Sequence, residues 1–177
     1  DPEKDGLIKR ENLGMIRGRT RRNQLDMAKK YGIENPPNAG GGCLLTEPQF
    51  GVKAKDLFSH TENPTINDID LLKIGRHFRL DEETKFIVGR NKDENEMIKA
   101  IALPGDILLE AKDFVGPVSI LRGNNSKEHL KFAASVTLRY SDAPNNQQAI
   151  VNIKDNDLVV EISSKSIEEE SYIQFRM

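Results

Sequence analysis

His77-Phe78-Arg79-Leu80 and Lys85-Phe86-Ile87-Val88 flank the polar tetrapeptide Asp81-Glu82-Glu83-Thr84, and Gly89-Arg90-Asn91 follows directly. Two short runs rich in β-forming residues around a polar turn predict a β-hairpin. Gly89 permits a tight exit from the second strand, and Asn91 with Glu94 supplies a helix cap. The helix so opened carries Met97, Ile98 and Ile101 and stops at Pro104-Gly105. Strand, strand and helix within one continuous stretch set the class: helices packed on an antiparallel sheet.

Working outward toward the C-terminus, Ile107–Leu109 and Val118–Leu121 read as strands. Ser126 starts a helix with Leu130, Ala133, Ala134 and Thr137 at helical spacing. Ala149–Ile153, Leu158–Ile162 and Tyr172–Phe175 alternate as a closing antiparallel set. Toward the N-terminus, Thr65 to Leu72 predicts a short helix. Before it, Thr46-Glu47-Pro48-Gln49 has the Thr-x-x-Gln form of a capping box. Its helix is expected to bury Phe50, Ala54, Leu57 and Phe58. Pro36-Pro37-Asn38-Ala39-Gly40-Gly41-Gly42 suits neither helix nor interior strand. Thr20 is placed to cap a helix running to Tyr31, with Gly32 as its stop. The expected class is therefore α+β: a helical segment over residues 1–63, then a sheet-plus-helices module over residues 64–177. The boundary is expected near residues 60–66, where Ser, Thr, Asn and Pro accumulate.

Bulk properties narrow the function classes. No apolar run in the 177 residues approaches the roughly 20 that a membrane helix needs. The first residues, Asp1-Pro2-Glu3-Lys4, offer no hydrophobic stretch to serve as a secretory signal, and the missing initiator Met suits a piece of a longer chain as well as a tag scar or a processed start. The single cysteine, Cys43, rules out an internal disulfide and a four-cysteine zinc site. With His60, His77 and His129 scattered, no metal site is expected, and a reducing, cytoplasmic setting is. Net charge is −2, but residues 1–30 hold nine Lys/Arg against five Asp/Glu, and residues 142–177 hold three against seven. A polyanion is expected to meet the N-terminal part first.

Two clusters carry chemistry. Cys43 follows three glycines and precedes a helix cap, a setting that can expose and activate a thiolate. A lone cysteine in an apolar run serves equally as an inert packing residue. The second cluster interleaves Arg76, His77, Phe78, Arg79 and Arg90 on the hairpin and the turn after it. Cations there would neutralise phosphates and rings would stack on unpaired bases. A solvated hairpin face is the plainer alternative.

The runs Gly18-Arg19-Thr20-Arg21-Arg22-Asn23-Gln24, Ala28-Lys29-Lys30-Tyr31-Gly32-Ile33 and Ala39-Gly40-Gly41-Gly42-Cys43-Leu44-Leu45-Thr46-Glu47-Pro48-Gln49-Phe50 resemble a known segment. It is the one after the PP-loop ATPase domain in proteins similar to the tRNA 2-thiouridine synthases. The resemblance implies an upstream ATP-binding domain in the same polypeptide, a sulfur donor protein, and Cys43 as sulfur carrier. No cofactor is implied for these residues themselves, because the phosphate-binding Ser-Gly-Gly-x-Asp-Ser loop is not among them. Leu44 also stands where the synthases have Phe.

Ile87-Val88-Gly89-Arg90-Asn91 with Asn95-Glu96, Pro104-Gly105-Asp106, Gly116-Pro117 and Tyr140-Ser141-Asp142-Ala143 resemble the RNA-binding module of the NFACT proteins. That resemblance implies tRNA as partner. By position it makes Arg76, His77, Arg79, Arg90, Asn91 and Asn95 the RNA-contact candidates. Arg122 and Arg139 have charge alone to recommend them. A methyltransferase is disfavoured: Gly40-Gly41-Gly42 follows no strand, and no acidic residue stands at a ribose-binding distance.

Overall fold

The computed structural model describes residues 3–13, 22–34, 44, 47–145 and 147–177. The chain divides into two compact units, Asp1–Cys43 and Leu44–Met177. The first holds a 3-10 turn, Arg10–Leu13, and helix α1, Arg22–Lys30. Ala28 is its buried residue, and Lys29 and Lys30 favour the helix C-terminus. Thr20 and Cys43 lie outside the described residues.

The second unit is a six-stranded antiparallel sheet with helices on both faces. In chain order it contains α2 (Pro48–His60), α3 (Ile66–Leu72), β1 (Arg76–Arg79), β2 (Lys85–Val88) and α4 (Lys92–Ile101). Then come β3 (Ile107–Ala111), β4 (Ser119–Arg122), α5 (Lys127–Arg139), β5 (Gln148–Asp155), β6 (Leu158–Lys165) and α6 (Glu169–Tyr172). A 3-10 turn, Ile173–Phe175, follows α6. The strand order is β1-β2-β4-β3-β5-β6. The α+β class expected from the sequence is the class observed.

The hairpin forms in the register that its pattern dictates, with His77 opposite Ile87 and Phe78 opposite Phe86. Because side chains alternate between faces, each strand feeds two cores. On one face Phe78, Phe86, Val88, Leu109 and Leu121 pack under Ala133, Ala134, Val136 and Leu138 of α5. On the other, Ile87, Val118 and Ile120 meet Leu71, Ile74 and Ile98 from α3, the turn after it, and α4. A third cluster joins Phe50, Ala54 and Leu57 of α2 to Leu72. This packing sets α2 in the second unit, ahead of the expected break at residues 60–66.

Caps explain the helix starts. Thr65 and Asp68 form a reciprocal capping box at α3, and the Asn91 side chain accepts from the Glu94 amide at α4. At α2 the N-cap is Glu47, with Pro48 as the first helical residue, where a missing amide costs nothing. The expected cap residue, Thr46, lies outside the described residues.

Two local expectations are corrected. Phe58 is exposed, because Phe50, Ala54 and Leu57 already fill the buried stripe and Phe58 falls one step round the helix. Tyr172–Phe175 is not a strand. Tyr172 ends α6 and Phe175 ends the 3-10 turn, and both aromatic rings turn inward at a three-residue spacing that helical backbone satisfies. Tyr172 packs edge-on against Phe78 and Tyr140, and Phe175 against Phe132. The tail meets the sheet edge through a single bridge between Arg176 and Phe78, where the Met177 amide donates to the His77 carbonyl at 3.0 Å.

Candidate nucleic-acid interface

β1 is an edge strand, and strand alternation sends its two arginines to different faces. Arg79 turns toward α2, where Nε and Nη2 donate to the Asp56 carboxylate at 3.0 and 2.6 Å. Lys85 Nζ lies 3.3 Å from the same carboxylate. Burial raises the Asp56 pKa, but hydrogen bonds from Arg79 and the charge of Lys85 outweigh it, leaving the carboxyl below its ordinary value. Burial also pushes Lys85 down to about 8, against the attraction of Asp56. Arg79 is thus committed to holding α2 on the hairpin.

Arg76 goes the other way. Its guanidinium carbon lies over the Tyr140 ring, 4.5 Å from the centroid, and Nη1 donates to the Gly89 carbonyl at 3.4 Å. A cation in this position is attracted by the ring face. Arg90, in the turn between β2 and α4, donates to both oxygens of Glu94, and its backbone amide donates to Glu94 at 2.8 Å. The Glu94 carboxylate also accepts from the Gly75 amide at 3.2 Å. Burial raises the Glu94 pKa, and the hydrogen bonds from Arg90 and the Gly75 amide overcome that, so its carboxyl sits below the usual value. The Arg90 side chain remains 45% exposed.

Two clefts meet at Arg76 and Arg90, which line both. The first, about 530 Å³, also has Lys53, Arg176, Gln49 and Gly75 in its walls. Lys53 comes from the buried face of α2 and donates to the Leu72 and Gly75 carbonyls at 3.4 and 3.2 Å. Burial lowers the Lys53 pKa, and the positive charge of Arg90 lowers it further, in opposition to Glu94 and Glu47. Two cations that repel across a concave surface favour an anion between them. The second cleft, about 450 Å³, adds Asn91, Lys92, Asn95, Tyr140 and Asp142.

Two glycines make this geometry. Gly75 has φ +74°, and a Cβ there would fall 2.5 Å from Ile87 Cγ2 and 2.9 Å from the Val88 carbonyl oxygen. A Cβ on Gly89 would meet Asn95 Oδ1 at 2.2 Å. Asn95 uses that space to bind backbone: Oδ1 accepts from the Val118 amide at 3.0 Å and Nδ2 donates to the Gly116 carbonyl.

Among the residues expected to contact RNA, Arg76, Arg90, Asn91 and Asn95 are therefore brought together, and Arg79 is not in either cleft wall. Asn91 spends its side-chain oxygen on the α4 cap, and Asn95 spends both side-chain groups on the backbone. His77 lines the first cleft but is fully buried, with Nε2 donating to the Ile74 carbonyl at 2.8 Å, so its ring offers no face to a base. Burial, reinforced by Lys85 and Lys53, holds its pKa well below the usual value. Arg122 is fixed between Asp106 and Asp68.

Lys53, Tyr140 and Arg176 gain roles that the sequence reading did not assign. Lys53 had a signal: it interrupts the apolar stripe of Phe50, Ala54 and Leu57 with a charge on the buried side. Arg176 had none, because its place depends on the turn after α6.

Among the described residues no helix is long and apolar enough to cross a membrane. No curated protein matches the chain. The fold resembles the C-terminal region of the fibronectin/fibrinogen-binding protein from Streptococcus suis. That match has a TM-score of 0.53 and 16% identity, covering 93% of this chain and 82% of that one. The NFACT protein RNA binding domain matches residues 75–176, which take in the whole sheet and most of both cleft walls. The chain belongs to the NFACT RNA-binding domain family.

Proposed function

We infer that residues 44–177 form an RNA-binding module that docks tRNA through the surface around Arg76 and Arg90. The observation that carries this reading is the pair of adjoining clefts walled by Lys53, Arg76, Arg90 and Arg176. Cations held in a concave setting attract phosphates, and protein–RNA affinity of this kind falls steeply with salt. Gel-shift titration of a tRNA transcript with the full chain tests it. Arg76→Glu combined with Arg176→Glu should weaken binding at least tenfold, each contact contributing on the order of 1 kcal/mol or more. Binding unchanged in that double variant refutes the reading.

The finer reading places this module behind a PP-loop ATPase domain, with ATP bound there, a separate sulfur donor protein, and Cys43 carrying sulfur to a tRNA uridine. Its support is the sequence resemblance over residues 18–50. A Cys43→Ser variant of the intact polypeptide that still thiolates tRNA at the normal rate eliminates the sulfur-carrier role.

A further inference from the structure

We propose that the two clefts together take an unpaired nucleotide of RNA, with its phosphate in the Lys53–Arg176 cleft and its base in the Tyr140 cleft. The inference rests on the RNA-binding reading above and adds which RNA conformation the surface selects.

The two clefts differ in chemistry. Lys53, Arg76, Arg90 and Arg176 make the first a cationic recess. Lys53 is only 8% exposed, and its ammonium already spans two carbonyls, so it is oriented before any ligand arrives. A phosphate oxygen is the natural further acceptor for a group with three donors. The second cleft mixes the Tyr140 ring with the exposed carboxylate Asp142, the amide Asn91 and the backbone around Gly116 and Pro117. A carboxylate repels a phosphate but accepts hydrogen bonds from the amino groups on base edges. An aromatic ring and a guanidinium plane are stacking platforms for bases.

Arg76 joins the two. Its guanidinium carbon lies over the Tyr140 ring, and the residue lines both clefts. A base entering the second cleft stacks against this guanidinium while the charge on Arg76 stays within reach of the neighbouring phosphate. A duplex cannot use such an arrangement, since its base faces are covered by their neighbours in the stack. Only the phosphate part of the surface would serve it.

Fluorescence anisotropy with the full chain distinguishes these cases. The probes are a short single-stranded RNA without self-pairing, the blunt duplex of the same sequence, and polyglutamate as an acidic control. Single-stranded RNA is expected to bind about tenfold or more tighter than duplex, the contribution of one stacked base. Arg76→Lys keeps the charge and loses the plane. It should bring the single-stranded affinity down to the duplex affinity measured on the same variant, so that the preference of about tenfold disappears, because an ammonium offers no stacking plane. Circular dichroism of the variant checks that it is folded. Tyr140→Leu, which removes the platform beneath Arg76, should repeat the loss.

If the wild-type chain binds both RNA forms equally, or if Arg76→Lys keeps the full preference, the nucleotide site is overturned and RNA binding itself stands. If neither RNA binds better than polyglutamate, the RNA-binding reading falls, and this inference with it.

Discussion

Replacing Asp56 with Asn tests whether Arg79 belongs to the fold or to the RNA surface. Asp56 sits between Arg79 and Lys85, and the three side chains are only 11%, 18% and 11% exposed. Asn preserves the shape and removes the charge that compensates two cations. Taking one partner from a buried ion pair costs about 3–5 kcal/mol, and the residual exposure of Arg79 puts the expectation near the lower end. With a urea dependence of roughly 1–3 kcal/mol per molar, the unfolding midpoint should drop by about 1–3 M. Without the Asp56 charge the Lys85 pKa falls below its value of about 8, so Lys85 limits the loss by releasing its proton and the deficit should shrink as the pH rises toward 8. Urea denaturation followed by circular dichroism at several pH values measures both effects. RNA affinity of the folded variant should be unchanged, because none of the three groups lines a cleft wall. A loss below about 1 kcal/mol, the scale of an exposed pair, would refute the argument.

Other consequences follow from the same geometry. Lys85 has a folded pKa of about 8 against 10.5 for the free side chain, so the unfolded chain holds more protons between those values. Its contribution to stability therefore rises with pH across that window, by roughly 3 kcal/mol at most, and Lys85→Met should abolish this rise in parallel denaturation series. Gly75→Ala combines a left-handed backbone with a collision against Ile87 and should lower stability by roughly 2–5 kcal/mol in thermal unfolding. Arg90→Ala should reduce the slope of log affinity against log salt by about 0.7–0.9 for RNA, whereas substituting Arg79 should leave the slope as it is.

The hairpin was legible because its signals agree: alternating residues, a polar turn, then a glycine and an Asn cap. The α3 and α5 starts were legible for the same reason, since Thr65 and Ser126 announce their helices locally. The division of labour between Arg76 and Arg79 follows from strand alternation, but knowing which face meets α2 and which meets Tyr140 needs the tertiary pairing. His77 shows the limit most clearly. An imidazole on a hairpin looks like a surface group until Leu71 and Ile74 are known to close over that side of the sheet. The tail misled for a related reason: Tyr172 and Phe175 fit an alternating pattern loosely and a one-turn spacing better. The family resemblance marked Tyr140 as part of a motif, but its placement beneath Arg76 is a property of the fold.

Glu94 ties the Gly75 turn, the Arg90 backbone and the Arg90 side chain into one knot at the start of α4. Gly75 and Arg90, which line the clefts, are consequently held in place before anything binds, so capture freezes fewer additional rotors there. Association should accordingly lose little conformational entropy, and calorimetry on a Glu94→Gln variant should show that loss grow while the contacts made to the ligand remain the same.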